Sequence, residues 1–311
     1  MTSLRRIWSG RTDYGDEKSK RFHEIVQLEK NIDPIPNVAI VGFQCDEGVR
    51  RNQGRIGAKE GPNAIRKALA NIPWHGESAC IADLGNISCE DAELEKAQKL
   101  LGEKIAEVRT NGSKVIVLGG GHETLYGHYL GIRQYIGRDK KLGIINIDAH
   151  FDLRSYEETT SSGTMFKQIL DHDNHASYCV IGIQQYGNTL ELFERAKEFR
   201  VTTILEQQIR ENMNQALNEI DSFINQNEVI LLTLCMDVIN AAEAPGVSAP
   251  SPFGLNAVEV RKIIQHVLQS PKVASFDICE VNPTFDPNGQ TAKLAAYLVN
   301  EVIMFMIKQR G

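Results

Sequence analysis

Short runs of β-branched and aliphatic residues alternate along the chain with stretches of helical periodicity, and this alternation most constrains the fold. Eight runs predict strands, at 37–43, 80–86, 114–121, 142–148, 178–183, 201–205, 229–237 and 273–281. Because these runs are apolar on both faces, they are typical of a parallel sheet that helices cover on each side. We therefore predict an α/β fold of three α/β/α layers, with a central, mostly parallel sheet of about eight strands.

Helical patterns lie between the predicted strands. They cover residues 61–72, 91–112, 124–136, 189–200, 213–227, 257–269 and 291–309. No linker, internal repeat or low-complexity run interrupts the alternation, so we predict a single domain over residues 1–311. In a sheet of this kind, ligands bind beyond the carboxyl ends of the strands, where several loops meet.

The overall charge argues against several classes of partner. The net charge is −6 and the pI is about 5.8, so we expect no binding to nucleic acid or to an anionic membrane. The basic N-terminal stretch is not followed by an apolar segment, and the apolar segment 294–307 is too short to span a bilayer. The six cysteines show no CxxC spacing. We expect a cytoplasmic protein without a disulfide framework.

The segment NIDAHFDLR, at 146–154, places Asp148, His150 and Asp152 at the end of a predicted buried strand. In an extended backbone, side chains at every second position point to the same side. Two like charges on one face repel each other unless a cation lies between them. A solvated loop or a buried Asp–His hydrogen bond is the alternative, but carboxylates and imidazoles are ordinary ligands of divalent metals. The segment therefore predicts a metal site.

Two further strand ends supply candidate ligands. His122 follows three glycines after one strand, and Cys235 and Asp237 alternate at the end of another. Taken alone, His122 could be a helix-entry residue and Cys235 a small buried apolar residue. Together the six groups exceed what one catalytic metal needs, and they suit two divalent ions about 3.5–4 Å apart. Because oxygen and imidazole donors predominate, they favour Mn²⁺ over zinc–thiolate chemistry.

Several motifs resemble the ureohydrolase family, which includes arginases, agmatinases and formimidoylglutamases, over nearly the whole chain. The motifs are GGGHE, NIDAHFD, MDVINAAEAPGVSAP and EVNP. The segments IWSGRTD, NQGRIGAKEGPNAIRKAL, SSGTMF and APGVSAPSP are most similar to the formimidoylglutamases of histidine degradation. The resemblance implies the arginase-like fold, two Mn²⁺ ions per chain, and hydrolysis of N-formimidoyl-L-glutamate to L-glutamate and formamide. It also implies a homo-oligomer that acts on a small-molecule substrate.

The resemblance also implies a distribution of ligands. One ion would be held by His122, Asp148, Asp152 and Cys235, and the other by Asp148, His150, Cys235 and Asp237. The family has Asp where this chain has Cys235. We favour ligation by a thiolate, which keeps the negative charge and can bridge two ions but offers one softer donor atom. The alternatives are a weak second metal site or, at the limit, a metal-poor family member without catalytic activity.

The remaining candidates concern the substrate. By resemblance, metal-generated hydroxide attacks the formimidoyl carbon, with Asp148, His150 and Glu280 in the catalytic centre and Glu280 against the cationic amidine. The glutamate end of the substrate carries two carboxylates, which Arg154 and Arg55 could bind bidentately, although each Arg could also be a solvated surface residue. Asn52, in the same segment as Arg55, is a further candidate to bind the substrate. Hydrolysis of a guanidine, as in arginases or agmatinases, is the alternative reaction. The segment 161–166 has no His, so the proton shuttle is unassigned.

Overall fold

The computed structural model describes residues 2–28, 35–76 and 79–308. Its centre is one sheet of nine strands in the order β1-β3-β2-β4-β9-β8-β5-β6-β7, in which every neighbouring pair is parallel. The strands are β1 (Val26–Gln27), β2 (Val38–Gln44), β3 (Ile81–Ser88), β4 (Lys114–Leu118), β5 (Leu142–Ile147), β6 (Ala176–Ile183), β7 (Thr202–Leu205), β8 (Val229–Cys235) and β9 (Val273–Cys279). The predicted three-layer α/β fold with a central parallel sheet is confirmed.

Helices connect these strands and cover both faces of the sheet. They are α1 (Thr2–Ile7), α2 (Phe22–Ile25), α3 (Glu47–Arg51), α4 (Gly61–Leu69), α5 (Leu94–Thr110), α6 (Thr124–Ile136), α7 (Met165–His172), α8 (Leu190–Glu198), α9 (Glu206–Glu211), α10 (Met213–Gln226), α11 (Ala257–Leu268) and α12 (Gln290–Lys308). Short 3₁₀ turns lie at Glu17–Ser19, Ala58–Glu60, Gln185–Gly187, Met236–Val238, Pro283–Phe285 and Pro287–Gly289. In the described ranges, no helix is long and apolar enough to cross a bilayer.

The apolar residues form one core on each face of the sheet. Helices α4, α10, α11 and α12 pack on one face, and α5, α6, α7 and α8 pack on the other. Strand β5 contributes to both cores, since Ile145 and Ile147 point to the first and Ile144 points to the second. Both faces of the strands are therefore buried, which explains why the strand runs read as continuously apolar.

The sequence predictions differ from the structure in the lengths of some elements. The ninth strand, β1, was not predicted, because two residues are too few for a periodic pattern. The predicted helix 91–112 begins only at Leu94, since Asp91 and Ala92 have φ angles of +51° and +59°, which a right-handed helix does not allow. The predicted helix 291–309 corresponds to α12, and residue 309 lies outside the described ranges.

Four predicted strands also extend too far at their carboxyl ends. The structure ends them at Leu118, Ile147, Cys235 and Cys279, one to three residues before the predicted ends at 121, 148, 237 and 281. These are the ends of β4, β5, β8 and β9, which are adjacent in the sheet in the order β4-β9-β8-β5. At each of them the chain leaves the ladder, and the polar residues that follow turn toward a common point.

Candidate metal centre

A glycine turn after β4 positions His122. A Cβ on Gly120 would lie 1.9 Å from the carbonyl oxygen of Cys45, so only glycine lets the turn run this close to the neighbouring backbone. The Gly121 N–H donates to the same carbonyl at 2.9 Å. The His122 N–H then donates to Glu280 Oε1 at 2.9 Å. His122 is therefore fixed between the carboxyl ends of β4 and β9.

The three polar residues of the segment 146–154 converge through a loop rather than through an extended strand. Strand β5 ends at Ile147, and Asp152 has a φ angle of +49°. The predicted alternation of side chains through Asp152 is therefore wrong. Instead the Asp148 carboxylate accepts the His150 N–H at 2.8 Å and the Asn146 side-chain amide at 3.0 Å. These hydrogen bonds fold the loop around the carboxylate of Asp148.

The six predicted metal ligands lie together in a cluster that we call the cage, which consists of His122, Asp148, His150, Asp152, Cys235 and Asp237. His122 Nδ1 lies 3.0 Å from Asp148 Oδ2 and 3.0 Å from Asp152 Oδ2. His150 Nδ1 lies 3.2 Å from Asp237 Oδ2 and 3.6 Å from Asp148 Oδ1. Donor atoms within 4.8 Å of one another form one group of His122, Asp148 and Cys235 and a second of Asp148, His150 and Asp237. Asp148 belongs to both groups, and Asp152 joins the first through His122.

The pKa values of these groups show an excess of negative charge. Burial and the nearby charge of Asp148 raise the pKa of Asp152 to about 6. Burial alone would lower the pKa of both histidines, yet the carboxylates around His122 and His150 raise both pKa values well above 6.5. Burial, followed by the neighbouring carboxylates, also raises the pKa of the Cys235 thiol well above its usual range. The carboxylates of the cage therefore favour positive charge on the groups that lie between them.

The residues fit a pair of divalent cations. Among the described residues, Asp237 Oδ1 and Glu280 Oε2 are buried side-chain oxygens without a hydrogen-bond partner, and buried carboxylate oxygens require compensation. The donor set combines carboxylate oxygens, two imidazole nitrogens and one sulfur, all of which bind first-row transition metals. Asp148 lies where one carboxylate can serve two ions.

A cavity of about 290 Å³ opens above the cage. It is lined by His122, His150, Asp152, Cys235, Asp237 and Glu280 and, toward its rim, by Asn52, Arg55, Arg154, Ser162, Asn188 and Ser248. The Arg55 guanidinium donates to the carbonyl oxygens of Ser248 and Val247 at 2.9 and 2.6 Å, and it stacks on Phe285. Arg154 is exposed. All predicted substrate-binding residues therefore border one cavity.

Asn188 braces the loop that follows β5, a role that the sequence patterns did not indicate. Its side-chain amide donates to the Ala149 carbonyl at 2.9 Å, and its Oδ1 accepts the Phe151 N–H at 3.1 Å. Asn188 comes shortly after β6, the strand next to β5 in the sheet. Its position beyond a strand end was the available signal, but a lone Asn in a loop is too common to stand out.

Comparisons with known proteins agree with this arrangement. The Arginase family model matches residues 36–305. A formimidoylglutamase of Lysinibacillus sphaericus (strain C3-41) is 50% identical over 312 residues, which cover 98% of this chain and 97% of the relative. The crystal structure of formimidoylglutamase from Bacillus subtilis subsp. subtilis str. 168 superposes with a TM-score of 0.87 over 99% of both chains at 22% identity, a likeness of fold. Trypanosoma cruzi formiminoglutamase with Mn²⁺ gives a TM-score of 0.80 at 25% identity, covering 88% of this chain and 94% of that one.

Proposed function

The chain belongs to the arginase family, and we propose that it is a formimidoylglutamase, a hydrolase that cleaves the C–N bond of a linear amidine. The substrate would be N-formimidoyl-L-glutamate, and the products L-glutamate and formamide. The observation that carries the proposal is identity of 50% to a formimidoylglutamase over 98% of the chain. The cage and the cavity above it supply the groups that this chemistry requires.

We propose that the cage holds two Mn²⁺ ions. His122, Asp148, Asp152 and Cys235 would hold one ion, and Asp148, His150, Cys235 and Asp237 the other. The overlap of the two groups at Asp148 supports two sites that share this carboxylate, and the Mn²⁺ of the Trypanosoma cruzi relative supports the choice of metal. When bound, such a pair lowers the pKa of a water molecule so that hydroxide is available near neutral pH.

Glu280 would bind and orient the amidine. Its Oε1 is engaged by the His122 N–H, whereas its buried Oε2 has no hydrogen-bond partner among the described residues and lies in the cavity lining. Burial, followed by the charges of Asp237 and Glu123, raises the pKa of Glu280 to about 8. A cationic amidine beside it would favour the ionised form and donate a charge-assisted N–H···O bond. The reacting carbon would then face the cage.

Arg154 is the strongest candidate to bind the carboxylates of the substrate. Its side chain runs along Gly163, where a Cβ would lie 2.9 Å from Arg154 Cδ, and its exposed guanidinium borders the cavity. Arg55 already donates from Nε and Nη2 to backbone carbonyls, so it has fewer N–H groups left for a substrate. Asn52 lies beside the same Gly163 and would contribute its amide.

Product analysis tests the proposed function. The Mn²⁺-loaded protein is incubated separately with formimidoylglutamate, arginine and agmatine, and the release of glutamate, formamide and urea is measured. We expect glutamate and formamide in equal amounts and no urea above the buffer control. Faster urea release from agmatine or arginine would replace the proposal with a guanidine hydrolase. Stable folded protein that hydrolyses none of the three would support a family member without catalytic activity.

A further inference from the structure

A chain of buried polar side chains lies directly behind His122, within the protein interior. Thr233 of β8, Asp277 and Ser275 of β9, and His128 of α6 are all 0% exposed. His122 Nε2 lies 3.2 Å from Thr233 Oγ1, which lies 2.6 Å from Asp277 Oδ1. The other carboxylate oxygen of Asp277 lies 2.6 Å from His128 Nδ1. The cavity and the catalytic groups above it account for none of these contacts.

The register of the sheet builds this chain of contacts. Thr233 and Asp277 are partners on the neighbouring parallel strands β8 and β9, and the next pair on the same face is Cys235 and Cys279. Because side chains two apart point the same way, Thr233 lies one step below Cys235. The same register that delivers Cys235 to the cage therefore delivers Thr233 to the back of His122.

The direction of each hydrogen bond follows from the chemistry of its groups. The Asp277 carboxylate accepts the Thr233 hydroxyl at 2.6 Å and the Cys279 thiol at 3.2 Å, and it lies 2.6 Å from His128 Nδ1. The single hydroxyl proton of Thr233 is thus directed to Asp277. Toward His122 the Thr233 oxygen can only accept, so His122 Nε2 must carry a hydrogen.

This fixes which nitrogen of His122 is available to a metal. A neutral imidazole carries one hydrogen, and the tautomer is set by the partner of the other nitrogen. When a cation binds and His122 is neutral with hydrogen on Nε2, the lone pair of Nδ1 is free for the cation on the side where Asp148 and Asp152 lie, each 3.0 Å from Nδ1. The opposite tautomer would place a proton where the cation binds.

We propose that Thr233 and Asp277 are positioning residues that hold His122 in the tautomer that binds metal through Nδ1. His128 completes the arrangement by donating to the second oxygen of Asp277, with Ser275 Oγ 2.7 Å from the other nitrogen of its ring. The inference rests on the proposed role of His122 as a metal ligand. Loss of such a partner behind a ligand weakens metal binding about 10- to 100-fold.

A pair of matched variants separates positioning from packing. Thr233→Val keeps the shape of the side chain but removes the hydroxyl, whereas Thr233→Ser keeps the hydroxyl. Mn²⁺ is titrated into each metal-free protein and free Mn²⁺ is counted by electron paramagnetic resonance. We expect Thr233→Val to bind one of the two ions about 10- to 100-fold more weakly than the wild-type protein. Thr233→Ser should bind both ions within about threefold of the wild-type protein, and circular dichroism should show that all three are folded.

A second measurement needs no substitution. The wild-type protein is labelled with ¹⁵N-histidine and loaded with diamagnetic Zn²⁺, and long-range ¹H–¹⁵N correlations identify the nitrogen that carries hydrogen in each ring. We expect His122 to show hydrogen on Nε2 and a metal-bound Nδ1. Hydrogen on Nδ1 would overturn the inference. The inference would also be overturned if Thr233→Val bound two Mn²⁺ ions with the same affinities as the wild-type protein. A wild-type protein that bound no Mn²⁺ would overturn the proposed metal centre as well.

Discussion

Replacing Cys235 with Asp should strengthen Mn²⁺ binding, because a buried thiol must lose its proton before it can ligate. Cys235 is 2% exposed, and burial together with the carboxylates of Asp148, Asp237 and Glu280 raises the pKa of its thiol above the ordinary value of 9.0. An aspartate at this position would start from an ordinary pKa of about 3.9. It would also offer two oxygens, which Mn²⁺ prefers to sulfur.

The free-energy cost of ionising the Cys235 thiol sets the expected gain in Mn²⁺ affinity. At pH 7.5, a thiol with a pKa of 9.0 costs about 2 kcal/mol to ionise, since one pKa unit corresponds to about 1.36 kcal/mol. Because the pKa in this site is higher than 9.0, the true cost is larger. An aspartate whose pKa is raised only as far as that of Asp152, to about 6, is largely ionised at pH 7.5, so the apparent dissociation constant of Cys235→Asp should be about 30-fold lower.

Isothermal titration calorimetry of Mn²⁺ into metal-free protein measures both the affinity and the protons released. Titrations at pH 7.5 in Hepes and in Tris, whose ionisation enthalpies differ, give the number of protons released. The wild-type protein should release about one proton more than Cys235→Asp. Cys235→Ser is the control, which lacks both the thiolate and the carboxylate and should bind more weakly than either. If Cys235→Asp released as many protons as the wild-type protein and bound Mn²⁺ equally well or more weakly, the Cys235 thiol would not have to ionise on metal binding. Complete loss of binding in Cys235→Asp would give the sulfur a distinct role.

Three further predictions concern Arg154, Glu280 and the buried ion pair of Arg66 and Asp83. Arg154→Ala should lower kcat/KM for formimidoylglutamate about 100-fold, in line with loss of a charged contact, and should leave Mn²⁺ affinity unchanged in the same calorimetric assay. In the metal-free protein, the raised pKa of Glu280, about 8 against an ordinary 4.5, means that the folded state binds more protons than the unfolded state between these values. The free energy of unfolding, measured with urea, should therefore fall as pH rises from 4.5 to 8, and Glu280→Gln should remove up to about 5 kcal/mol of that fall. Arg66 and Asp83 are 0% exposed and 2.6 Å apart, and Trp8 Nε1 donates to the same carboxylate, so Asp83→Asn should lower the free energy of unfolding by about 3–5 kcal/mol.

Each of these predictions has a control and a contradicting outcome. Arg154→Lys keeps the charge without the bidentate geometry and should retain part of the activity; unchanged kcat/KM in Arg154→Ala would remove Arg154 from the substrate site. Parallel pH profiles of stability for the wild-type protein and Glu280→Gln would show that Glu280 titrates normally. For the ion pair, an exposed pair such as Arg261 and Glu301 is the comparison, and Glu301→Gln should cost less than about 1 kcal/mol. Equal losses in both variants would contradict the role of burial.

The sequence predicted the sheet, its eight longer strands and the six groups of the cage, because these depend on local apolar runs and on polar residues at strand ends. It did not predict that β9 lies between β4 and β8, since strand order is not contained in local periodicity. For that reason the sequence did not indicate that Glu280 accepts a hydrogen bond from the backbone of His122. Four predicted strands also included residues 119–121, 148, 236–237 and 280–281, which lie beyond the last strand residues because the chain leaves the sheet there.

Two other features depend on contacts between distant parts of the chain. Thr233 and Asp277 meet only because β8 and β9 pair in one register, 44 residues apart. The Arg55 guanidinium donates to backbone carbonyls of Val247 and Ser248, nearly two hundred residues away. The sequence alone therefore predicted more N–H groups available to a substrate than Arg55 has in the structure. Both are tertiary effects, whereas the segment 146–154 carries its three ligands within the five residues 148–152.

The central claim is that the cage binds a pair of divalent cations between side chains from neighbouring strand ends. Anomalous scattering from crystals of the Mn²⁺-loaded protein, collected on both sides of the manganese absorption edge, tests it most directly. We expect two manganese peaks inside the cage, one next to His122 Nδ1 and one next to His150 Nδ1. Asp148 and Cys235 should contact both ions. A manganese-loaded crystal with no peak between these side chains, or with the side chains turned away from one another, would contradict it.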